Sequence, residues 1–447
     1  MLEAFVNALK ISDLRKRILF TLGALVVYRI GCYIPTPGID GKALAEFFEK
    51  IRQTQGGTLF GIMNMFSGGA MERLTIFALG IMPNISASII LQLLTAVIPY
   101  FEKLAKEEMG RKKIVQYTRY GTVLLGIIQS FFISLWLENP AHFQGMQIVP
   151  HPGWGFRFLT LITLTTGTIF LMWLGEQISD RGIGNGISLI ITVGITSRIP
   201  TAVYQLFLLL SPFSPTRRQL QPIVLVIMAV MLIAVTVAVI VITQAQRKIP
   251  VQYAKRIIGH RMYGGQSTYL PLRINQAGVI PIIFAQSIIL FPATLAGFIP
   301  NPKFQALAAQ LLRGHWLYTI LYTLLIIFFS YFYTAVTFNP IEISENMQRF
   351  GGFIPGVRPG KSTSDYLDFI MTRVTLAGAI FLAGIAVFPD LIGAWLKVPY
   401  LIASFFGGTA LLIVVGVILD TMRQIESHLL MRHYEGFMKK GKIRGRR

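Results

Sequence analysis

Long stretches without a single charge fix what this chain can fold into. Residues 316–338 and 398–419 are two of them. An α-helix needs about 20 residues to cross the hydrocarbon of a bilayer. In lipid every backbone polar group must be satisfied internally, so a span is either a helix or part of a closed barrel. Of the 447 residues, 53% are hydrophobic and 14% charged, against about 25% charged in soluble domains. The fold class that follows is an all-α polytopic membrane protein. Ten transmembrane helices are expected, near 18–35, 74–99, 116–137, 155–177, 183–201, 222–243, 275–297, 316–338, 370–389 and 398–420. Arg198 interrupts the fifth, and residues 202–210 either extend it or lie at the surface. Arg29, inside the first, is expected to snorkel to the outer face. The short basic start and the lack of a small-residue cleavage site argue against a removable signal. A single cysteine, Cys32, excludes an internal disulfide and reads as a small core residue.

Charge sets the orientation. The chain carries a formal +21. The N-terminus, the even-numbered connections and the tail hold 29 of the 41 Lys and Arg residues, and the odd-numbered connections hold 11. Cytoplasmic loops carry the excess of cations, so both termini are expected in the cytoplasm. Ten spans divide near residues 210–221 into an N-terminal half (1–215) and a C-terminal half (216–425), followed by a basic tail (426–447). Five spans per half force opposite orientations, the arrangement of inverted repeats with a pathway at their interface.

One segment does not fit a simple list of spans. Residues 58–71 are apolar but too short to cross, break at Ser67-Gly68-Gly69, and meet Glu72-Arg73 before the next span. Such a piece is either an amphipathic interfacial helix or re-entrant backbone lining a water-filled cavity.

The chemistry that is missing also narrows the function. Ion-coupled transporters bury acidic groups in their spans, and here the interiors have almost none. Glu176 and Asp420 sit at cytoplasmic span ends, where surface pairs are their usual role. His428 and His433 are five apart, not the i, i+4 spacing of a helical metal pair. Residues 355–362 end in Gly-Lys-Ser, but Pro355 stands where a phosphate loop needs glycine. What remains are apolar pairs at helical spacing, Ile81/Ile85 and Ile187/Ile191. Polar residues sit in the second span (Asn84, Ser86, Ser88, Gln92) and the seventh (Asn275, Gln276, Gln286, Ser287). Polar side chains in membrane helices face other helices or water, so these two spans are expected to face each other across weak polar contacts.

Several long stretches resemble the SecY family, the central subunits of bacterial protein-conducting channels. They are NMFSGGA at 64–70, IFALGIMP at 76–83, SASIILQLL at 86–94, QYTRYGT at 116–122, FLMWLGEQISDRGIGNGIS at 170–188, AGVIPIIFAQSIILFPAT at 277–294, FYTAVTFNP at 332–340 and PGVRPGKST at 355–363. The likeness runs from about Leu14 to the tail. It implies a central pore between two five-helix halves, with a waist of apolar side chains at Ile81, Ile85, Ile187, Ile191, Ile283 and Ile413. An apolar ring fits any side chain and resists ion leak by dewetting. The broken segment resembles a short re-entrant plug helix, carried by Phe60, Gly61, Asn64, Met65, Phe66, Ser67, Gly68 and Gly69. A lateral gate is implied at Ser86, Gln129, Asn275 and Phe291.

The resemblance also implies partners. Arg358, and Arg261 with His260, match positions where a SecA ATPase or a ribosome docks; two arginines are common at the latter site, and here the first is His260. SecE-like and SecG-like subunits, signal sequences, nascent chains and membrane lipids complete the set. No cofactor and no catalysis are implied. Energy would come from SecA, the ribosome or the membrane potential. The location implied is the cell inner membrane. A secondary transporter of inverted-repeat type is the rival reading.

Overall fold

A computed structural model describes the backbone of residues 11–54, 64, 67–143, 145–210, 222–253, 256–258, 261–263, 267–298, 310, 316–396 and 408–440. The N-terminal helices are α1 (Ser12–Gly31), α2 (Gly41–Thr54), α3 (Met82–Val97), α4 (Pro99–Lys106), α5 (Glu108–Glu138), α6 (Trp154–Arg181), α7 (Gly186–Thr196) and α8 (Ile199–Leu210). After them come α9 (Pro222–Gln244), α10 (Ile280–Phe298), α11 (Trp316–Thr337), α12 (Pro340–Arg349), α13 (Lys361–Leu396) and α14 (Gly408–Lys440).

Among the described residues, seven helical stretches are long and apolar enough to cross a membrane, beginning at Met109, Trp154, Gly186, Val226, Trp316, Lys361 and Gly408. The α3–α4 pair makes an eighth, bent by 102°. A proline disfavours helical backbone in the residue before it, and Ile98, preceding Pro99, is extended at φ −99°, ψ 117°. With α1 and the shorter α10, every one of the ten expected spans overlaps a helix.

Two expectations change. The second span does not begin at residue 74: residues 74–81 are turns, and helix starts at Met82 with Pro83 in its first turn. Their backbone bonds instead to the end of the first span, through Thr36 N–H to Leu74 O (3.0 Å) and Ile76 N–H to Ile34 O (3.0 Å). The connections after α9 and after α12 also hold a small sheet that the helical reading did not include. Strands β1 (Gln246–Tyr253), β4 (Ser267–Arg273) and β5 (Gly352–Phe353) form an antiparallel sheet in the order β4-β1-β5, and β2 (Arg256–Ile258) pairs with β3 (Arg261–Tyr263). The fifth span is interrupted at Ser197-Arg198, as its sequence suggested, and resumes as α8.

Eight helices close a ring. Packing joins α3 to α5, α5 to α6, α6 to α7, α7 to α14, α14 to α13, α13 to α11, α11 to α10, and α10 back to α3. The helices before residue 215 therefore meet those after it at two seams, α3–α10 and α7–α14, with α10 also reaching α5. The seams differ. Gly184 N–H donates to Gln424 Oε1 (2.9 Å) at the start of α7. No side-chain hydrogen bond joins α3 to α10 among the described residues. Close approach of α6 and α7 depends on Gly186, whose Cβ position the Gly175 carbonyl already occupies.

The C-terminal end of α5 and the N-terminal end of α6 are tied by one carboxylate. Glu138 accepts from the Gly153 N–H (2.9 Å) and from Arg157 Nε and Nη2 (2.8 and 2.7 Å). Its side chain is only 10% exposed. Removing it takes the shared acceptor from both donors. Glu138→Ala is therefore expected to lower the thermal midpoint in detergent, with Glu138→Gln, which keeps an acceptor, falling between the two.

Candidate functional site

The six isoleucines fall on, or just before, the helices of the two seams. Ile85 lies on α3 with Ile81 just before it, Ile187 and Ile191 on α7, Ile283 on α10 and Ile413 on α14, so all six sit on the four helices of the two seams. Ile191 and Ile413 are fully buried, and Ile81, Ile85 and Ile283 are buried; Ile187 is partly buried against the same contiguous apolar cluster. β-Branched side chains are stiff at χ1, and none of the six isoleucine side chains offers a hydrogen bond.

A cavity of about 450 Å³ opens between the ends of α7, α10 and α14. Its walls are mixed: Asn185, Ser188, Asn275, Gln276, Asp420 and Arg423 stand beside Val279, Ile280, Val417 and Leu419. The sequence hinted at it through Gly-rich residues 182–186 and the Asn275–Gly278 turn, where Gly278 takes φ +65°. Two acidic residues flagged earlier do form surface pairs. Glu176 holds Arg119 through two bonds (2.9 and 2.8 Å), and Asp420 lies 3.8 Å from Arg423.

Of the re-entrant segment, Phe60, Gly61, Met65 and Phe66 lie outside the described residues. Asn64, Ser67, Gly68 and Gly69 are described, and their seat is built from both neighbouring spans. Tyr28 Oη donates to Ser67 O (3.3 Å), and Arg29 Nη1 to Gly68 O (2.9 Å). Arg29 thus does not simply reach outward: it is drawn in to an orphan carbonyl, and its Nη2 donates to the Tyr33 hydroxyl (3.3 Å). Gly68 sits at φ +66°, and a Cβ there would lie 2.8 Å from Tyr28 Oη and 2.9 Å from Gly194 Cα. Beyond the turn, Glu72 Oε2 accepts from Asn64 Nδ2 (2.7 Å) and Arg198 Nη2 (3.0 Å). Sequence reasoning noticed Glu72 and Arg198 separately. Their 126-residue separation gave no signal that they pair.

The seam between α3 and α10 carries the gate candidates. Ser86 and Asn275 are buried, as is Gln129 on α5, and Phe291 is half-buried on α10. The expected polar contacts across the seam are not formed. Asn84 Oδ1 accepts from Thr122 Oγ1 of α5 (3.1 Å), and Ser287 returns its hydrogen bond to Ile283 O (2.8 Å) on its own helix. The Asn275 Nδ2 and both amide atoms of Gln286 are buried with no partner among the described residues. No side-chain hydrogen bond among the described residues holds this seam.

The docking candidates share one platform. β5 pairs with the end of β1, Gln252 opposite Phe353 and Tyr253 opposite Gly352. This ties the loop that carries Arg358 to the connection that carries Arg261. Beneath them, Ile249, Val251, Leu272, Ile354 and Leu367 belong to a second apolar cluster. Arg358 is exposed on a turn whose backbone is fixed by Ser344 Oγ to Gly360 O (2.7 Å) and Thr363 Oγ1 to Arg358 O (2.9 Å). Gly356 and Gly360, at φ +83° and +99°, serve this turn. Arg261 opens β3; His260 lies outside the described residues.

Comparison with known proteins agrees with this geometry. The chain is 48% identical to the protein translocase subunit SecY of Escherichia coli (strain K12) over 440 residues, covering 97% of this chain and 96% of that one. It is 43% identical to the Aquifex aeolicus subunit of the same name, covering 98% and 100%. Its fold matches a solved protein-conducting channel at TM-score 0.64 and Sec61 from a canine ribosome-channel complex at 0.61, each at 18% identity and 92% coverage of both chains. The sequence profile of the SecY family matches residues 75–422. Near-full-length identity above 40% and that profile together make this chain a member of the SecY family.

Proposed function

We propose that this chain is the pore-forming subunit of a protein translocase. It passes unfolded polypeptide across the membrane and releases apolar segments sideways into lipid. The observation that carries this reading is the placement of all six isoleucines on the four seam helices. A waist made there widens when the seams part and closes on itself when they meet. Its apolar lining gives a passing chain nothing to bind and holds ions back by dewetting. The cavity between the ends of α7, α10 and α14 is the cytoplasmic entrance, and residues 58–71, whose described turn at 67–69 is seated on α1 and the end of α7, form the plug on the outer side.

Sideways release uses the α3–α10 seam, lined by Ser86, Asn275 and Phe291, with Gln129 behind. A segment exposed there partitions by its own transfer free energy: Leu or Ile gains about 0.3–0.6 kcal/mol at the membrane centre, whereas Asp, Lys or Arg costs about 2.5–3.5. Secreted and membrane clients are thus sorted without a catalytic step in this chain. Arg358 and Arg261 present cations to a SecA-type motor or to ribosomal RNA, whose phosphates attract them in a salt-dependent way. SecE-like and SecG-like subunits would complete the complex, in the cell inner membrane with both termini cytoplasmic. A secondary transporter is not favoured, because the span interiors hold almost no carboxylates to carry coupling ions.

Photocrosslinking tests the reading. A photoreactive residue at Ile283 is expected to capture a stalled secretory precursor, and one at Leu324, 59% exposed on α11, is not. An engaged precursor that never reaches position 283 would place the pathway elsewhere. The waist makes a second expectation. Ile413→Asn puts an amide where the wild-type side chain is fully buried, at a cost of about 1–3 kcal/mol unless water or a partner satisfies it. The closed waist is weakened, so precursors with defective signal sequences should be exported more readily. Unchanged discrimination would remove Ile413 from the constriction.

A further inference from the structure

The described part of the re-entrant segment closes on itself. Asn64 Oδ1 accepts from the Glu72 N–H (3.0 Å), and Asn64 Nδ2 donates to Glu72 Oε2 (2.7 Å). The Gly69 N–H donates to Asn64 O (2.9 Å), and the Met71 N–H to Ser67 Oγ (3.1 Å). Asn64 and residues 67–72 therefore form one hydrogen-bonded unit. Past it the chain is fixed again, where Thr75 pairs with Pro35 in an antiparallel bridge to the end of α1. Between unit and bridge stands Leu74. At φ +44° it is the one non-glycine in the left-handed region among the described residues, and residues held in such backbone cluster at switches. The unit also meets the break between α7 and α8. A Cβ on Gly68 would lie 2.9 Å from Gly194 Cα, and Ser197 Oγ approaches Gly68 O (3.5 Å). Arg198 Nη2 donates to Glu72 Oε2 (3.0 Å), and these two charged side chains are only 13% and 16% exposed.

We propose that Glu72 and Arg198 are positioning residues of the channel, an ionic latch that holds the segment against α7 and links it to the waist. The inference rests on reading residues 58–71 as a plug. Two helices hold the unit by different means. From α1, Tyr28 and Arg29 reach backbone carbonyls, which any residues at 67 and 68 would present. The end of α7 holds it through one specific pair of side chains. That helix is 11 residues long and carries Ile187 and Ile191 as well. A client that pushes those isoleucines outward shifts α7 against α1, and the shift is delivered to the Glu72–Arg198 joint. An ion pair suits such a joint. Its attraction is strong where water is scarce and weak where both charges are hydrated. The latch grips in the closed state and lets go once water fills the pore. An apolar joint in the same place would resist opening, because parting it exposes apolar surface. The interruption of the fifth span thereby gains a use: it sets Arg198 at the C-terminal end of α7, where the helix dipole favours a cation.

Resting conductance of the purified complex in planar bilayers, read beside its thermal midpoint, tests the latch. Arg198→Gln and Glu72→Gln should each raise conductance about tenfold, as expected for loss of a part-buried charge-assisted bond. The double variant should leak no more than either single one, because residues that act through one joint are not additive. Effects that multiply in the double variant overturn the latch. So does a sealed Arg198→Gln beside a leaky Gly68→Val. If Gly68→Val is sealed as well, the plug reading falls and the latch falls with it. Locking the joint gives a readout that a merely structural pair would not move. Cys32 is the only native cysteine, so the variants Glu72→Cys and Arg198→Cys are combined with Cys32→Ala. Joining the two thiols with a bifunctional methanethiosulfonate should block precursor export, and cleaving the link with dithiothreitol should restore it. Export at full rate through the linked channel overturns the proposal.

Discussion

Gly68→Val should turn a sealed resting channel into a leaky one. Gly68 holds φ +66°, and a Cβ there would press on Tyr28 Oη and on the Gly194 backbone. A β-branched residue in the left-handed region costs about 2 kcal/mol in backbone strain alone, before any steric contact. That strain is relieved if residues 67–69 leave their seat. Raising the seated state by about 2 kcal/mol multiplies the unseated population by about thirtyfold. The resting ion conductance of the purified complex in planar bilayers should rise to a similar degree, while precursor export continues. Gly68→Ala should fall between valine and wild type. Conductance unaffected by either change, with the complex still folded, would mean that the segment seals nothing.

Arg358→Glu should separate docking from folding. The Arg358 side chain is exposed and takes no part in the bonds that shape its turn, which run through backbone carbonyls to Ser344 and Thr363. Surface substitutions of this kind shift stability by no more than about 0.5 kcal/mol, so the thermal midpoint should hold. In a docked interface the loss is far larger. Truncating one partner of a hydrogen-bonded charge pair costs about 2–5 kcal/mol, roughly 30-fold to several thousand-fold in affinity, and reversed charge adds repulsion. ATP-driven uptake of a precursor by inverted vesicles should therefore drop by at least about 30-fold, with Arg358→Lys retaining part of the activity. A normal uptake rate for Arg358→Glu would move the docking surface off this loop.

Much of this was legible in the sequence because bilayers impose a simple rule. Charge-free runs such as 316–338 have one low-energy fate, and the structure made helices of them. The rule fails where apolar backbone finds other partners. Residues 74–81 are as apolar as a span, yet Thr36 and Ile34 bond to them, and Leu74 takes φ +44°. The strand β1 was hidden by Pro250 at its centre and by only two inward residues, Ile249 and Val251. At the site, the isoleucines were identified through family likeness; their spacing alone also fits lipid contact. Glu72–Arg198 and the β1–β5 pairing join residues about 100 or more positions apart, and no local pattern announces such contacts.

The unequal seams have a mechanical corollary. One seam is pinned by Gly184 and Gln424, and across the other no side-chain hydrogen bond is formed among the described residues. A closed circuit with one firm joint and one loose joint yields like a hinge, with its axis at the firm joint. Motion at the waist is then geared to motion at the lipid-facing slot, and the slot travels farther. Bore and slot become a single degree of freedom, so a client wide enough to spread the isoleucines is also shown to the bilayer. Under this coupling no mutation in the ring alone could abolish release into lipid while preserving passage across it.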